Sequence, residues 1–414
     1  MPWFITFALL SAWFSYNLYR PIQSQKHGAA VSFLSGLMVG ELALHHLILQ
    51  IIIALLFVYS GVVTGLWGAL SLLLLLGSWG AMGYYYLTSD TAKDHIEKGL
   101  KQGLGEHYLT QISPELKETL TDQLDWQRVL FPHRAFRSPV VTTIRNIIYH
   151  EVNGVRLKLD IRHRHDQPQN CPVLFQIHGG AWTFRMGSKN EQALPLMNYL
   201  AEQGWVCVSI DYRLSPLATF PDHIIDCKRA LQWVKQHIHE YGGDPEFIIA
   251  TGGSAGGHLS ALLALTPNLP EFQPGFEDFD SSVQGCVSFY GIYDFLDHHK
   301  LQAHTGLHDL LQDSILKASK SDKPELYRLA SPITHIGPHA PPFLLLQGDK
   351  DTLVSPRETR MFADELRQVS KQPVALIELP GAQHAFDLFP SLRSELVLHG
   401  VVRYLNWVYS QRPR

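Results

Sequence analysis

The residues around Ser254 have the pattern of a nucleophile elbow. Ser254 is the central residue of a Gly-x-Ser-x-Gly motif at 252–256. The apolar run 247–250 before it suits a buried strand, and the apolar run 258–265 after it suits a packed helix. On such a turn the serine hydroxyl is exposed, and the glycines leave room for the strained backbone. The pattern predicts a catalytic nucleophile. The alternative is a glycine-rich loop that only connects a strand to a helix.

A second glycine pair lies where it can help to stabilise negative charge. The apolar run 173–177 leads into His178-Gly179-Gly180-Ala181-Trp182. Because glycines carry no side chain, the amides of Gly179 and Gly180 can approach a reacting carbonyl and, with the amide of Ala255, form a three-donor oxyanion hole. An ordinary loop is the alternative. His178 is expected to fix this turn by hydrogen bonds and not to act as the base.

Candidates for the acid and the base follow two later apolar runs. The strand predicted at 342–347 precedes Asp349 and Asp351, and the strand predicted at 374–379 precedes His384. Open α/β sheets gather their reactive groups at the carboxyl ends of strands, and the order nucleophile, acid, base is typical of one hydrolase fold. Asp349 and Asp351 compete for the acid role. Asp351 is favoured because apolar residues follow it, which suits a partly buried carboxylate.

Five sequence blocks together resemble the hormone-sensitive-lipase-like branch of the α/β-hydrolase esterases. The chain as a whole is similar to bacterial membrane-anchored carboxylesterases of that branch. The resemblance implies Ser254, Asp351 and His384 as a triad, with Gly179, Gly180 and Ala255 as oxyanion donors. Ala385 departs from the pattern, since many relatives have glycine there. The blocks occupy residues 178–182, 211–216, 241–245, 252–257 and 348–354.

The second half of the chain has the alternation of an α/β domain. From Thr143 onward, predicted strands and helices alternate, which indicates a mostly parallel sheet with helices on both faces, the α/β-hydrolase fold. The domain is predicted at 142–414. Residues 296–328 interrupt the alternation and are predicted to form a lid. The polar segment 88–141 is predicted to be a membrane-proximal connector or a cap over the pocket.

The first 87 residues differ from the rest in charge. Between His27 and Leu87 the only formally charged side chain is Glu41. Two runs, 31–60 and 62–87, are each long enough to cross a bilayer, and Pro2–Tyr19 is a third apolar run. A buried core helix is the alternative, but globular helices are rarely apolar on every face. The sequence predicts a transmembrane anchor of two to three helices at 1–87, and its removal is expected to leave a soluble, active enzyme.

Charges near the anchor suggest its orientation. Lys93, Lys98 and Lys101 follow the last apolar run, so the positive-inside rule predicts a multi-pass protein of the bacterial inner membrane with a cytoplasmic catalytic domain. Glu41 and His45 lie four residues apart, on one face of a presumed helix. An intramembrane ionisable pair is a functional candidate, but a polar contact between spans is the favoured interpretation here.

These patterns together predict a membrane-anchored serine carboxylesterase that forms an acyl-enzyme. Formamidase or amidase chemistry on the same triad, or a catalytically idle membrane interaction module, are the alternatives. Trp182 and Phe184 are tentative substrate-pocket residues, whereas Arg213 and Asp244 are expected to tie loops together. The expected partners are a small-molecule or lipid ester and the lipid bilayer. No cofactor, metal or nucleic acid is expected, because the four cysteines have no metal-like spacing and no basic stripe is present.

Overall fold

The structure is a computed structural model that describes residues 1–166, 168–184, 186–302 and 304–412 of the 414-residue chain. One position of the predicted lid, Ala303, and the last two residues of the predicted 142–414 domain lie outside the described residues.

An eight-stranded sheet is built from the described residues, in the spatial order β1-β2-β4-β3-β5-β6-β7-β8. The pairs β1–β2 and β2–β4 are antiparallel, and the remaining neighbours are parallel. This is the mainly parallel α/β architecture expected from the sequence. The strands are β1 Val141–Val152, β2 Val155–Arg164, β3 Cys171–Ile177, β4 Val206–Ile210, β5 Gly243–Gly253, β6 Gly285–Phe289, β7 Phe343–Gly348 and β8 Val374–Leu379.

The central strands are apolar along their whole length because both faces of the sheet are covered. Every residue of β3, β4, β6 and β7 is buried. Strands covered on both faces have near-continuous hydrophobic sequences and not alternating ones. In the parallel register Ile177 of β3 lies beside Gly252 of β5, and Gly253 lies beside Phe289 of β6. The loops that follow these three strands therefore meet at one edge of the sheet.

Helices cover both faces of the sheet, as predicted. One core cluster includes side chains of α9, α10 and α13, and a second includes side chains of α5, α8 and α14. The helices are α1 Pro2–Tyr19, α2 Lys26–Glu41, α3 Ala43–Tyr59, α4 Gly65–Thr88, α5 Ala92–Leu104, α6 Pro114–Lys117, α7 Trp126–Leu130, α8 Leu194–Glu202, α9 Asp222–His237, α10 Ala255–Leu265, α11 Gly306–Leu310, α12 Pro324–Ala330, α13 Pro356–Val369 and α14 Leu392–Ser410.

Helix α5, at the start of the predicted connector, packs directly on β8. A Cβ at Gly99 would overlap the Leu376 carbonyl oxygen, and one at Gly103 would overlap Ala375. The two glycines, four residues apart on one helix face, let the helix backbone approach the strand closely. The segment 88–141 is predicted from the sequence to be either a membrane-proximal connector or a cap over the pocket. Helix α5 is not a cap, because it packs in the core beside the sheet.

The N-terminal helices differ from the expected spans. Among the described residues, one helical stretch, Gly65–Leu104, is long and apolar enough to cross a membrane. The predicted span 31–60 is not one helix: α2 and α3 are bent by 89° at Leu42, and they qualify only if counted together as one broken span. Pro2–Tyr19 does not qualify. The described residues thus contain one candidate span, or two if the bent pair is counted as one, and the two to three spans expected from the sequence are not confirmed.

The bend also separates Glu41 from His45. Glu41 ends α2 and forms a buried ion pair with Arg393 of α14, whereas the Nε2 atom of His45 lies 3.0 Å from the Leu130 carbonyl oxygen. Neither contact joins two apolar helices. The interpretation of this pair as a polar contact between spans is therefore wrong, because the partner of Glu41 belongs to α14 and the partner of His45 belongs to α7.

Candidate active site

Ser254 lies on the turn between β5 and α10 in a strained backbone conformation, with φ 57° and ψ −119°. Few non-glycine residues adopt a positive φ, and such strain persists only where the surroundings impose it. A Cβ at Gly252 would overlap the Gly256 and Ile177 carbonyl groups, so glycine is required there. The amide of Ser254 donates to the Phe289 carbonyl oxygen at 3.0 Å. The local structure is that of the predicted elbow.

Asp351 and His384 are brought together by the loops after β7 and β8. The Nδ1 atom of His384 lies 2.7 Å from Oδ2 of Asp351, and both side chains are buried. Three further donors, the amides of Leu353 and Val354 and Nε2 of Gln347, reach the same carboxylate at 2.8–2.9 Å. Four hydrogen-bond donors thus fix the orientation of the Asp351 carboxylate.

Asp349 has a different partner. Its Oδ1 atom accepts a hydrogen bond from the amide of Gly381 at 2.7 Å. Asp349 thus fixes the loop that carries His384 without reaching the imidazole ring. Of the two candidate acids, Asp351 is the one whose carboxylate contacts the His384 ring.

Aromatic rings surround His384 on two sides. The Tyr290 ring centroid lies 4.6 Å from the His384 ring centroid, and the Phe33 ring of α2 lies 5.8 Å away, edge to face. The Tyr290 hydroxyl donates a short hydrogen bond to Asp387, and burial raises the pKa of Tyr290 well above its usual value. The phenol therefore remains protonated. Tyr290 and Phe33 are not among the residues predicted from the sequence, because nothing in their local sequence indicates proximity to His384.

The amides of the predicted oxyanion hole differ in their partners. The amide of Gly179 donates to Oε1 of Gln192 at 2.5 Å. Among the described residues, by contrast, the amides of Gly180, Ala181 and Ala255 have no protein acceptor. A Cβ at Gly180 would overlap the Met186 carbonyl oxygen, which explains the glycine. Ala181 is not among the oxyanion donors predicted from the sequence, but its amide is free among the described residues. The amide of Gly179, which is among them, is already hydrogen-bonded to Gln192.

His178 and Tyr212 fix this turn by hydrogen bonds, and Arg213 ties its own loop to α9, as expected from the sequence. Nδ1 of His178 lies 2.7 Å from the Gly179 carbonyl oxygen, and the Tyr212 hydroxyl donates to the His178 carbonyl oxygen at 3.0 Å. Burial lowers the pKa of His178 to about 4, so its ring is neutral at pH 7. Arg213 forms a bidentate pair with Asp226, with both N···O distances at 2.8 Å.

The remaining sequence candidates are dispersed. Trp182 is 1% exposed, and its Nε1 atom donates to Nδ1 of His258 at 3.2 Å, so it lies among core side chains. Phe184 is 56% exposed and is the tentative pocket residue that is open to solvent. Asp244 accepts from the Glu246 amide at 2.9 Å, which is the contact expected of a turn residue. Within the described part of the chain, no group of three or more His, Cys, Asp or Glu side chains could hold a metal ion.

The predicted lid contains two short helices, α11 and α12, and contacts both neighbouring helices. Lys26 of α2 and Asp309 form an exposed ion pair at 2.8 Å. On the other side, Nε2 of Gln302 donates to Oε2 of Glu358 in α13 at 2.5 Å. The insertion therefore contacts α2 through Asp309 and α13 through Gln302.

Known proteins with similar sequences are esterases by name. The sequence model of the BD-FAE family matches residues 159–366, about half of the chain. Probable carboxylic ester hydrolase LipM of Mycobacterium tuberculosis is 56% identical over 247 residues, which are 59% of this chain and 56% of that protein. Esterase LipQ of the same organism is 44% identical, over 61% of this chain and 60% of that protein. The chain thus spans less than two thirds of these two relatives. Esterase LipC, also from M. tuberculosis, is 35% identical over 82% of this chain and 86% of its own length.

Two solved structures share the fold. A thermophilic esterase from Thermogutta terrifontis has 28% identity and a TM-score of 0.50, covering 60% of this chain and 84% of the other. A truncated carbohydrate esterase from gut microbiota has a TM-score of 0.55 over 64% of this chain and 96% of the other. Its 23% identity supports the fold alone.

Proposed function

Because the chain belongs to the BD-FAE family of α/β-hydrolases, we propose that it is a carboxylic ester hydrolase whose triad is Ser254, His384 and Asp351. The observation that carries this proposal is the 2.7 Å contact between His384 Nδ1 and the buried, four-donor carboxylate of Asp351. A carboxylate at Nδ1 keeps the proton on that nitrogen, so Nε2 is the lone-pair atom that can accept the serine proton.

The reaction then proceeds in two halves. Ser254 attacks the ester carbonyl as His384 takes its proton, and the protonated imidazole returns that proton to the leaving alcohol. Asp351 holds the imidazole ring and stabilises its cationic form. Water repeats the sequence on the acyl-enzyme and releases the acid. The free amides of Gly180, Ala181 and Ala255 are the candidate donors to the oxyanion, with Gly179 held back by Gln192.

The test of this proposal compares two serines. Ser254→Ala should reduce turnover of a p-nitrophenyl ester by at least ~10³-fold and abolish labelling by a fluorophosphonate probe, because triad members act as a unit. Ser260→Ala is the matched control: Ser260 lies in helix α10, which follows the Ser254 turn, and its hydroxyl donates to the Gly257 carbonyl oxygen at 3.0 Å. Undiminished turnover and labelling in Ser254→Ala would exclude Ser254 as the nucleophile. A matched p-nitroanilide substrate separates esterase from amidase activity.

We also propose that the N-terminal helices anchor the protein in a bilayer. Support comes from α4, which belongs to the candidate span, and from large apolar side chains that are exposed on α1, α3 and α4. Contiguous apolar surface of this extent indicates contact with a membrane or a partner. The exposed side chains include Trp3, Leu9, Leu10, Ile48, Leu49, Ile52, Leu55, Leu56, Leu66, Trp67, Leu73 and Leu76.

An apolar acyl ester close to the bilayer is the substrate class that this anchor favours. A chain-length series of p-nitrophenyl esters on the detergent-solubilised protein tests it, and an exclusive preference for acetate would contradict it. The orientation is tested separately. Protein with a C-terminal tag should remain in the membrane fraction during alkaline carbonate extraction. In spheroplasts, external protease should not digest the tag if Lys93, Lys98 and Lys101 are cytoplasmic. Quantitative release by carbonate would contradict the anchor.

A further inference from the structure

The end of α2 contains a buried ion pair that the proposed triad chemistry does not use. Glu41 is 5% exposed and Arg393 is 2% exposed, and one carboxylate oxygen of Glu41 contacts Nη1 of Arg393 directly. The other carboxylate oxygen accepts a hydrogen bond from the Ser391 hydroxyl at 2.7 Å. Removing one partner of such a pair leaves an uncompensated buried charge and is strongly destabilising.

The same ion pair is connected to the loop that carries the catalytic histidine. Nη2 of Arg393 lies 3.3 Å from the Tyr85 hydroxyl and 3.1 Å from Oγ of Ser89, both near the end of α4. The Tyr85 hydroxyl in turn donates to the Gly381 carbonyl oxygen at 2.6 Å. Gly381 precedes His384 by three residues. The chain of contacts therefore runs from Glu41 through Arg393 and Tyr85 into the base loop.

One face of α2 lies along the two catalytic loops. The Ala29 carbonyl oxygen accepts from the Thr352 hydroxyl at 3.0 Å, next to Asp351. Phe33 faces the His384 ring, and a Cβ at Gly36 would lie 3.3 Å from Nε2 of Gln383. Positions 29, 33 and 36 are spaced four and three residues apart, so they form one helix face. Glu41 lies at the end of the same helix.

We propose that Glu41 is a positioning residue for the catalytic base: its ion pair with Arg393 fixes α2 and the Gly381–His384 loop relative to each other. The inference rests on the proposed function, because it takes His384 as the base. In this arrangement the N-terminal helices hold the triad in its working geometry, and the α/β domain alone does not. Small displacements of a base cost large factors in rate, since proton transfer requires hydrogen-bond reach.

The variants for the test are Glu41→Gln and a matched control. Glu41→Gln removes the charge and keeps the size of the side chain. The control is Glu395→Gln, which removes the carboxylate of another buried pair on the same helix α14: Glu395 lies 3.1 Å from Nε of Arg128. Arg128 belongs to α7, and its other side-chain bond is to the Pro195 carbonyl oxygen. The control therefore also removes one carboxylate charge from a buried ion pair of α14, but it leaves the contacts of Arg393 with Tyr85 and of Tyr85 with Gly381 intact.

The full-length proteins are purified in detergent, and their active sites are titrated with a fluorophosphonate. Steady-state turnover of a p-nitrophenyl ester is then expressed per titrated site. Glu41→Gln is expected to lower kcat about tenfold with KM within twofold, because base alignment changes and the substrate contacts remain. Glu395→Gln is expected to keep kcat per site within twofold. Thermal midpoints of both variants record the loss of stability independently.

Each outcome decides a specific point. If both variants lose stability and Glu41→Gln keeps the kcat of the wild type per titrated site, Glu41 is structural only and the inference is wrong. If Glu41→Gln does not fold, Glu41→Asp replaces it: the shift of the carboxylate by one methylene is expected to lower kcat two- to fourfold, and an unchanged kcat overturns the inference. Failure of the probe to label the wild-type protein would instead contradict the proposed function.

Discussion

Replacement of Asp351 by asparagine tests the triad most directly, because the structure defines all four hydrogen bonds of this side chain. Oδ1 of Asp351 accepts from the amides of Leu353 and Val354, and Oδ2 accepts from Nε2 of Gln347 and from Nδ1 of His384. The amide oxygen of asparagine can replace only one of these two acceptor positions. Two backbone donors fix it at the Oδ1 position, so the new NH₂ group faces Gln347 and His384.

A donor at that position reverses the tautomer of the histidine. Nδ1 of His384 must then accept, so the ring proton moves to Nε2, the atom that has to take the serine proton. Loss of the correct tautomer costs about 10²- to 10⁴-fold in kcat in triads of this kind, or about 3–5 kcal/mol of barrier at 1.36 kcal/mol per factor of ten. Stability falls less, by about 1–3 kcal/mol, because the Gln347 amide loses its acceptor.

Asp349→Asn is the matched control for this prediction. Asp349 accepts one hydrogen bond, from the Gly381 amide, and an asparagine oxygen can accept it equally well. Its kcat is expected to remain within about tenfold of the wild type. The assay is p-nitrophenyl ester turnover per fluorophosphonate-titrated site, with circular dichroism as the check on folding. A larger loss in Asp349→Asn than in Asp351→Asn would refute the tautomer argument.

Three further predictions follow from single contacts. Ala385→Gly is expected to raise the free energy of unfolding in urea by about 0.5–1 kcal/mol, because Ala385 has φ 59°, which glycine adopts without strain; a loss of stability would contradict this. Burial raises the pKa of Glu358 to about 8, above its unfolded value of about 4.3. The free energy of unfolding of the wild type should therefore fall as pH rises between about 4.3 and 8, and that of Glu358→Gln should not show this loss. Equal free energies of unfolding of the wild type at pH 5 and pH 8, measured by urea titration, would contradict the assignment. The contacts of Phe33 with His384 and of Tyr85 with Gly381 change the expectation from the sequence that a chain lacking residues 1–87 keeps its activity: kcat/KM is now expected to be at least tenfold below the full-length value. A soluble truncated chain with full activity would show that the α/β domain is sufficient.

The sheet and the catalytic loops follow closely from the sequence. The run predicted at 374–379 coincides with β8, and the one predicted at 342–347 differs from β7 by one residue at each end. These strands are short, apolar and followed by glycine or proline turns, so local sequence determines their limits. The carboxyl ends of parallel strands lie at the same edge of the sheet. The sequence therefore predicts that the loops containing Asp351 and His384 lie close together.

Contacts between distant side chains could not be predicted in this way. Gln192 accepts a hydrogen bond from the amide of Gly179, which lies thirteen positions earlier in the sequence, and Tyr290 contacts His384 from the loop that follows β6. Neither has a spacing or a motif that identifies its partner. The sequence favours Asp351 over Asp349 but does not decide between them for the same reason: both follow β7, and the backbone path of the loop determines which carboxylate faces the imidazole.

The break between α2 and α3 has an electrostatic reason that composition alone conceals. In a straight span over 31–60, Glu41 would lie near the middle of the hydrocarbon region, where a carboxylate costs about 2.5–3.5 kcal/mol on insertion scales. Backbone hydrogen bonds are retained on both sides of the bend. The Leu42 amide donates to the Met38 carbonyl oxygen, and the His46 amide donates to the Leu42 carbonyl oxygen. The bend places Glu41 against Arg393 and turns α2 across the catalytic loops. Glu41, the single formal charge between His27 and Leu87, thus lies next to the residue at which α2 and α3 bend.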